Sequence, residues 1–429
     1  MMEPRRVVVT GLGLVTGLGR QVEENWRKAL AGQSGVTAFA GPGSSGCPVR
    51  AAGAVSAADW AAIAARFPEE NRHAIERRTL FALWAADEAW RDAGSPCGGP
   101  RAGVALGAGL GILRLEDQLH WAEPDGQLNL QDLGTAPDLA ELDSQLQHRA
   151  DEPSWRIARR LGLAGPSATV TTACASAGQA IGTAFRMVRR GEADWIVAGG
   201  ADSMIHPVGL VYFVLLGAAS TSAEPPDTVC RPFDRRRSGL VMGEGAGVVI
   251  LEAEAHARAR GARLYAELAG YGASFDAWRV TAPHPEGAGA ARAMRAALAD
   301  AGLDPGGIDY INAHGTGTRL NDVAEAQAIR AVFGAEAAGL AVSSSKSLIG
   351  HLLAACGGPE CVLTVLSVNR DEIHPTRNLE QPDPKCGLDC VPGTSRRRIV
   401  RAALSNSFGF GGQNACLAVR KYIPREEHS

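Results

Sequence analysis

The chain has 429 residues, 45% of them apolar, with 43 basic and 46 acidic side chains. That length and apolar content support a large core or two packed subdomains. A net charge of −3 supplies no bulk attraction to nucleic acid or to an anionic membrane. The nine cysteines are an odd set without framework spacing, which points to a reducing cytoplasm rather than a disulfide scaffold. Cys386 and Cys390 lack the second pair that zinc needs and read as structural. Cys356 and Cys361 fall in an apolar, helix-like run and read as core.

The first residues, Met-Met-Glu-Pro-Arg-Arg, carry no secretory pattern and lead into a short apolar strand. Strand-like runs then occur at residues 6–12, 103–107, 167–172, 195–199 and 247–252, with helical patterns at 77–93 and 177–190. A second series opens near Leu264, with a helix at 289–301, a strand at 308–312, a helix at 322–333 and the final strands. Such alternation predicts an α/β fold with a mainly parallel sheet covered by helices. It divides into an N-terminal half, 1–258, and a C-terminal half, 259–429. No residue-level repeat relates them. The longest apolar run, 208–219, is too short to span a membrane. Residues 114–152 hold ten acidic side chains and two arginines, and read as a solvated surface insertion.

Two glycine clusters carry no nucleotide chemistry. Gly11, Gly13 and Gly17 have the spacing GxGxxxG, and no acid follows at a strand end, so a nicotinamide site is not expected. Gly243, Gly245 and Gly247 read as a tight turn before a strand, and no lysine follows to complete a P-loop.

Cys174 lies in Val-Thr-Thr-Ala-Cys-Ala-Ser-Ala-Gly, where a β-branched run meets small residues that read as a helix start. A cysteine there sits on a tight strand-to-helix turn, as a nucleophile elbow does. The unpaired N–H groups of the first turn would favour thiolate over thiol. A buried structural cysteine fits this motif equally well. His314 stands in Asn-Ala-His-Gly-Thr-Gly-Thr, and Lys346 and His351 in Lys-Ser-Leu-Ile-Gly-His. Each histidine abuts a glycine, which lets backbone or ligand approach. Taken singly, either is better read as a structural histidine. A fourth element, Asn-Ser-Phe-Gly-Phe-Gly-Gly-Gln-Asn at 406–414, reads as a closely approached loop or a hairpin turn.

Together these four motifs, in this order and at these separations, resemble the β-ketoacyl-[acyl-carrier-protein] synthases of the elongating Cys/His/His class. The resemblance runs from Arg6 to about Val419. It implies the thiolase-like α/β fold, two similar halves stacked as five layers. It also implies a decarboxylative Claisen condensation. Cys174 takes an acyl group, and the carbanion from malonyl thioester attacks it. Backbone N–H groups of Cys174 and Phe410 stabilise the oxyanion of acyl transfer. His314 and His351 donate to the malonyl carbonyl. Lys346, paired with Glu360, orients the network. Phe410 gates the site, Thr316 and Thr318 bind the pantetheine arm, and Phe408 and Leu110 contact substrate. Asp322 and Glu325 match acids behind the histidine loop, where acids of a helix N-terminus serve nearly as well as an explanation. Asn312, Glu360, Ser405 and Asn406 match positions that hold a structural cation in some relatives, but no metal and no cofactor is expected. Arg319, where proline is frequent in the family, is placed near the tunnel mouth with the alternatives of a phosphate contact or plain solvation. Arg77 and Arg78 fall near the basic patch for carrier protein, with the same alternatives.

The partner implied is acyl carrier protein. A homodimer is expected, or a heterodimer with a cysteine-less chain-length-factor subunit. The pathway stays open between fatty-acid elongation and polyketide or polyene synthesis. A docking scaffold would not need the intact Cys/His/His/Lys set. A thiolase would need a second nucleophilic cysteine, for which Cys416 is the candidate.

Overall fold

The computed structural model describes residues 4–40, 46–68, 76–109 and 149–424. Ten strands form one large sheet. The first five are β1 (Val7–Val15), β2 (Ala102–Ala108), β3 (Ser167–Val170), β4 (Trp195–Asp202) and β5 (Gly245–Ala253). The second five are β6 (Ala266–Phe275), β7 (Tyr310–Asn312), β8 (Ala341–Ser343), β9 (Ala402–Gly409) and β10 (Gln413–Arg420). Their spatial order is β8-β7-β9-β10-β6-β1-β5-β4-β2-β3. By rank within each half, both orders read third, second, fourth, fifth, first. The duplication that no residue pattern betrays is therefore present in the topology. The halves join where Val7, Val8 and Val9 of β1 pair antiparallel with Leu268, Glu267 and Ala266 of β6.

The sheet is mixed, which corrects the expectation of a mainly parallel one. β2 pairs parallel with β3 and β4, and β7 parallel with β8 and β9. The pairs β4–β5, β5–β1, β9–β10 and β10–β6 are antiparallel. β9 and β10 are joined by the three residues Phe410–Gly412, and so short a link only allows reversal.

Five helices set the layers: α1 (Arg77–Asp92), α2 (Ser176–Arg189), α3 (Ala288–Ala301), α4 (Arg319–Phe333) and α5 (Gly357–Arg370). α1 covers the outer face of β1, β4 and β5, while α3 and α4 cover the outer face of the second half. α2 and α5 lie between the two sets of strands and touch both. This gives the five-layer α/β arrangement. Gly11 and Gly13 lie inside β1 rather than after it. A Cβ on Gly11 would come within 2.0 Å of the Ala89 carbonyl oxygen, so these glycines admit α1 against the strand.

The central helices start side by side. A Cβ on Gly357 would lie 2.5 Å from Gly178 N. That contact brings the elbow before α2 against the turn before α5. Among the described residues, no helix is long and apolar enough to cross a membrane.

Candidate active site

Cys174 occupies the turn between β3 and α2 and is buried. The preceding Ala173 has φ +49°, a left-handed conformation costly for a residue with a side chain. The Ala175 N–H donates to the Thr172 carbonyl at 3.1 Å, and the Ser176 hydroxyl to the Ala173 carbonyl at 2.6 Å. These bonds hold the strained turn. Gly409 packs directly on it, since a Cβ there would meet Cys174 N at 3.1 Å. The Phe410 N–H consequently faces the sulfur.

The rings of His314 and His351 stand edge to face, with centroids 5.4 Å apart. His314 follows β7, and His351 follows the short helix Lys346–Ile349. Burial, together with the charge of Lys346, pulls both imidazoles well below the usual histidine range, so both are neutral. Each has its Nδ1 occupied. Lys346 Nζ lies 3.2 Å from His314 Nδ1, and the Leu353 N–H donates to His351 Nδ1 at 2.9 Å. A neutral ring accepting at Nδ1 carries its proton on Nε2. The hydrogen-bond pattern thus assigns both rings as Nε2–H donors.

Lys346 is buried and pairs with Glu360 on α5. Burial lowers the lysine's pKa, but the adjoining carboxylate more than reverses this and Lys346 stays protonated. Burial pushes Glu360 up to about 7 against the pull of Lys346. Two further acids shape the His314 loop. Glu325 accepts the N–H groups of His314 at 2.8 Å and Gly315 at 2.7 Å. Asp322 accepts those of Thr316 at 3.1 Å, Gly317 at 3.2 Å and Phe233 at 2.8 Å. Both acids point back at the loop instead of merely decorating the start of α4.

These groups meet at a cavity of about 640 Å³. Cys174, His314, His351, Thr316, Thr318, Phe408 and Phe410 all line it, while Lys346 stays behind His314. The Thr316 and Thr318 hydroxyls bond each other at 2.9 Å. Phe408 lies against His314, with centroids 5.8 Å apart, and Phe410 stacks on Phe213 at 6.5 Å. The site therefore joins a thiol on a strained elbow, two neutral N–H donors and a buried cation. That set can take up an acyl group and stabilise an enolate.

Residues 4–257 match the model of the beta-ketoacyl synthase N-terminal domain, and residues 265–380 that of the C-terminal domain. The chain belongs to the β-ketoacyl synthase family. It is 42% identical to a 3-oxoacyl-[acyl-carrier-protein] synthase 2 from Synechocystis sp., over 98% of this chain and 99% of that relative. The fold matches a type II polyketide synthase complex of acyl-carrier protein and ketosynthase bound to the hexaketide, with TM-score 0.87 and 34% identity, covering 98% of this chain and 100% of that one. It also matches the ishigamide ketosynthase/chain length factor, with TM-score 0.84 and 33% identity over 98% and 100% of the two chains. The thiolase-like fold and the C–C bond-forming acyltransferase class expected from the motifs are those of these synthases.

Within this synthase fold some sequence expectations need correction. Cys174 is not a thiolate at rest: burial raises it to about 12, and Lys346 and the Phe410 N–H offset this only in part. Arg77 is committed to Glu244 at 3.0 Å and lies 4.3 Å over the Trp60 ring. Arg78 is buried, pairs with Glu76 and donates to the Gly109 carbonyl at 2.7 Å. Arg78 is thus closed to a protein partner, while Arg77 stays partly exposed with its guanidinium held by Glu244. Arg319 is exposed and lines the cavity, as do Arg279 and Leu320. Cys416 is buried in β10, away from the cavity lining. Leu110 and nearly all of the 114–152 segment lie outside the described residues.

Two features escaped the sequence reading. Cys356 is not only core: its Sγ lies 3.1 Å from His351 Nδ1. Exposed Arg235 and Lys385 line a cleft of about 950 Å³ that shares Arg279 and Arg319 with the catalytic cavity. None of these four cations has an acidic partner among the described residues.

Among the described residues, no cluster of His, Cys, Asp and Glu could hold a metal. Glu360 Oε2, Ser405 Oγ and Asn406 Oδ1 are nonetheless among the buried side-chain oxygens that have no hydrogen-bond partner. Ser405 pairs with Asn312 across the β7–β9 ladder, and Asn312 Nδ2 reaches the Glu360 carbonyl at 3.3 Å. Such hard oxygens fit a small cation.

Proposed function

We propose that Cys174 accepts an acyl group from an acyl-[acyl-carrier-protein] and condenses it with malonyl-[acyl-carrier-protein]. The sulfur attacks the thioester carbonyl, its proton leaves with the carrier thiol, and an acyl-cysteine remains. The N–H groups of Cys174 and Phe410 receive the oxyanion. Malonyl thioester then loses its carboxylate as carbon dioxide, and the bonding electron pair passes into an enolate held by His314 and His351. The enolate carbon attacks the acyl-cysteine, and the Cys174 sulfur leaves and regains a proton. The observation that carries this reading is that both histidines line one cavity with Cys174 and have Nδ1 occupied, which leaves Nε2–H as the free donor of each ring. A neutral donor stabilises an enolate without first giving up its proton.

Arg235, Arg279, Arg319 and Lys385 support a carrier-protein partner, since unpaired cations at a cavity mouth attract an acidic surface and the phosphate of its pantetheine arm. Thr316 and Thr318 would bind the arm inside. A second copy, or a chain-length-factor subunit, would pair with β3, an edge strand of the sheet that leads directly to Cys174. Exposed Val211, Tyr212 and Leu215 of the helix Pro207–Leu215 support the same contact. The reading places the enzyme in the cytoplasm, in fatty-acid or polyketide synthesis.

Carbon dioxide release from labelled malonyl-[acyl-carrier-protein] tests it. The wild type should release it, and His314→Ala and His351→Ala should lose roughly 100-fold or more in rate while Cys174 still takes up acyl groups. Equal release by all three proteins would rule the assignment out.

A further inference from the structure

The turn between His351 and α5 is built unusually. Leu353 has φ +50°, a left-handed conformation that a branched aliphatic residue adopts only when its surroundings enforce it. The enforcing contact is the Ala354 N–H, which donates to buried Asp202 Oδ2 at 3.0 Å. The distortion wraps residues 353–356 around the His351 ring. It delivers two groups to the same nitrogen: the Leu353 N–H at 2.9 Å and the Cys356 sulfur at 3.1 Å. Burial keeps Cys356 a thiol, well above the usual range, so it has a proton to give. Among the described residues, no other acceptor is bonded to that sulfur. Cys356 does not line the cavity and acts through His351.

We propose that Cys356 is a positioning residue whose S–H donates to His351 Nδ1, locking the Nε2–H tautomer and making that N–H a stronger donor to the malonyl enolate. This rests on the role given to His351 above. Two donors on Nδ1 withdraw electron density from the ring and exclude the tautomer protonated there. The effect is confined to the half-reaction that uses His351. Acyl transfer to Cys174 uses backbone N–H groups and is untouched. The weak S–H bond, worth roughly 0.5–1 kcal/mol, corresponds to about a two- to fivefold change in rate.

The test compares wild type, Cys356→Ala and Cys356→Ser. Three readouts are taken: Cys174 acylation rate, kcat and KM for carbon dioxide release from malonyl-[acyl-carrier-protein], and the ¹⁵N resonance of His351 Nδ1. The alanine variant should acylate normally, lose about two- to fivefold in kcat with KM unchanged, and shift the Nδ1 resonance. The serine variant should recover both, because its hydroxyl donates to the same nitrogen. Unchanged kcat and an unmoved resonance in Cys356→Ala would overturn the proposal. So would an equal loss of acylation and decarboxylation in both variants, which marks a packing role. Wild type that neither acylates nor decarboxylates would instead remove the functional reading on which the proposal rests. The ¹⁵N shift reports on the Cys356–His351 bond in either case.

Discussion

Lys346 Nζ lies 3.2 Å from His314 Nδ1 while pairing with Glu360. One buried cation thus does two things: it neutralises a carboxylate and forces the His314 proton onto Nε2. The two roles separate by mutation. Lys346→Ala leaves Glu360 buried without its partner, and should cost roughly 3–5 kcal/mol of stability. Lys346→Met with Glu360→Gln removes both charges and should regain most of that stability in chemical denaturation. Decarboxylation should stay down roughly 100-fold, because nothing then fixes the His314 tautomer. Recovery of activity along with stability would show that the pair is only structural.

Glu325 holds the His314 and Gly315 N–H groups on its two oxygens. Glu325→Ala strands two buried donors and should lose about 1–3 kcal/mol for each. Glu325→Gln keeps one acceptor oxygen and should fall between the variant and wild type, both in denaturation midpoint and in carbon dioxide release.

The Cys174 thiol, raised to about 12 by burial, gives a pH signature. Below its pKa the thiolate fraction rises tenfold per pH unit. Alkylation by iodoacetamide should therefore accelerate steadily from pH 7 to 9 without levelling. A plateau near neutrality would mean that the α2 N-terminus holds a thiolate after all.

Phe410 stacks on Phe213 and lines the cavity beside Cys174. The turn behind it has Gly411 at φ +78° and Gly412 at φ +79°, conformations that glycine adopts at no steric cost. Phe410→Ala should admit malonyl thioester before the cysteine is acylated. The measurable result is a severalfold rise in unprimed carbon dioxide release from malonyl-[acyl-carrier-protein], and no rise would deny Phe410 a gating role.

The residues that line the candidate site were legible because each sits in a short local pattern. Cys174, His314 and His351 each follow a strand or a short helix and lie beside residues too small to block a ligand. The alternation of elements gave the α/β class, but not the antiparallel pairs. Those depend on links as short as Phe410–Gly412, whose reversal is a matter of turn geometry and not of hydrophobic period. The Cys356–His351 contact was hidden for a similar reason. In sequence Cys356 is one apolar residue in an apolar run, and only the left-handed Leu353 turns it toward the imidazole. The mouth cations are likewise separate in sequence, at 235, 279, 319 and 385, and folding alone gathers them. Arg77 and Arg78, adjacent and plainly basic, turned out to be spent on Glu244 and Glu76.

The most direct test of a condensing enzyme built on Cys174 is intact-protein mass spectrometry with a series of acyl-[acyl-carrier-protein] donors, with and without malonyl-[acyl-carrier-protein]. The expected result is an acyl mass on Cys174 that disappears when malonyl carrier is added, with a ketoacyl product two carbons longer. No acyl mass on Cys174 from any donor, or an acyl-enzyme that malonyl carrier leaves intact, would contradict it.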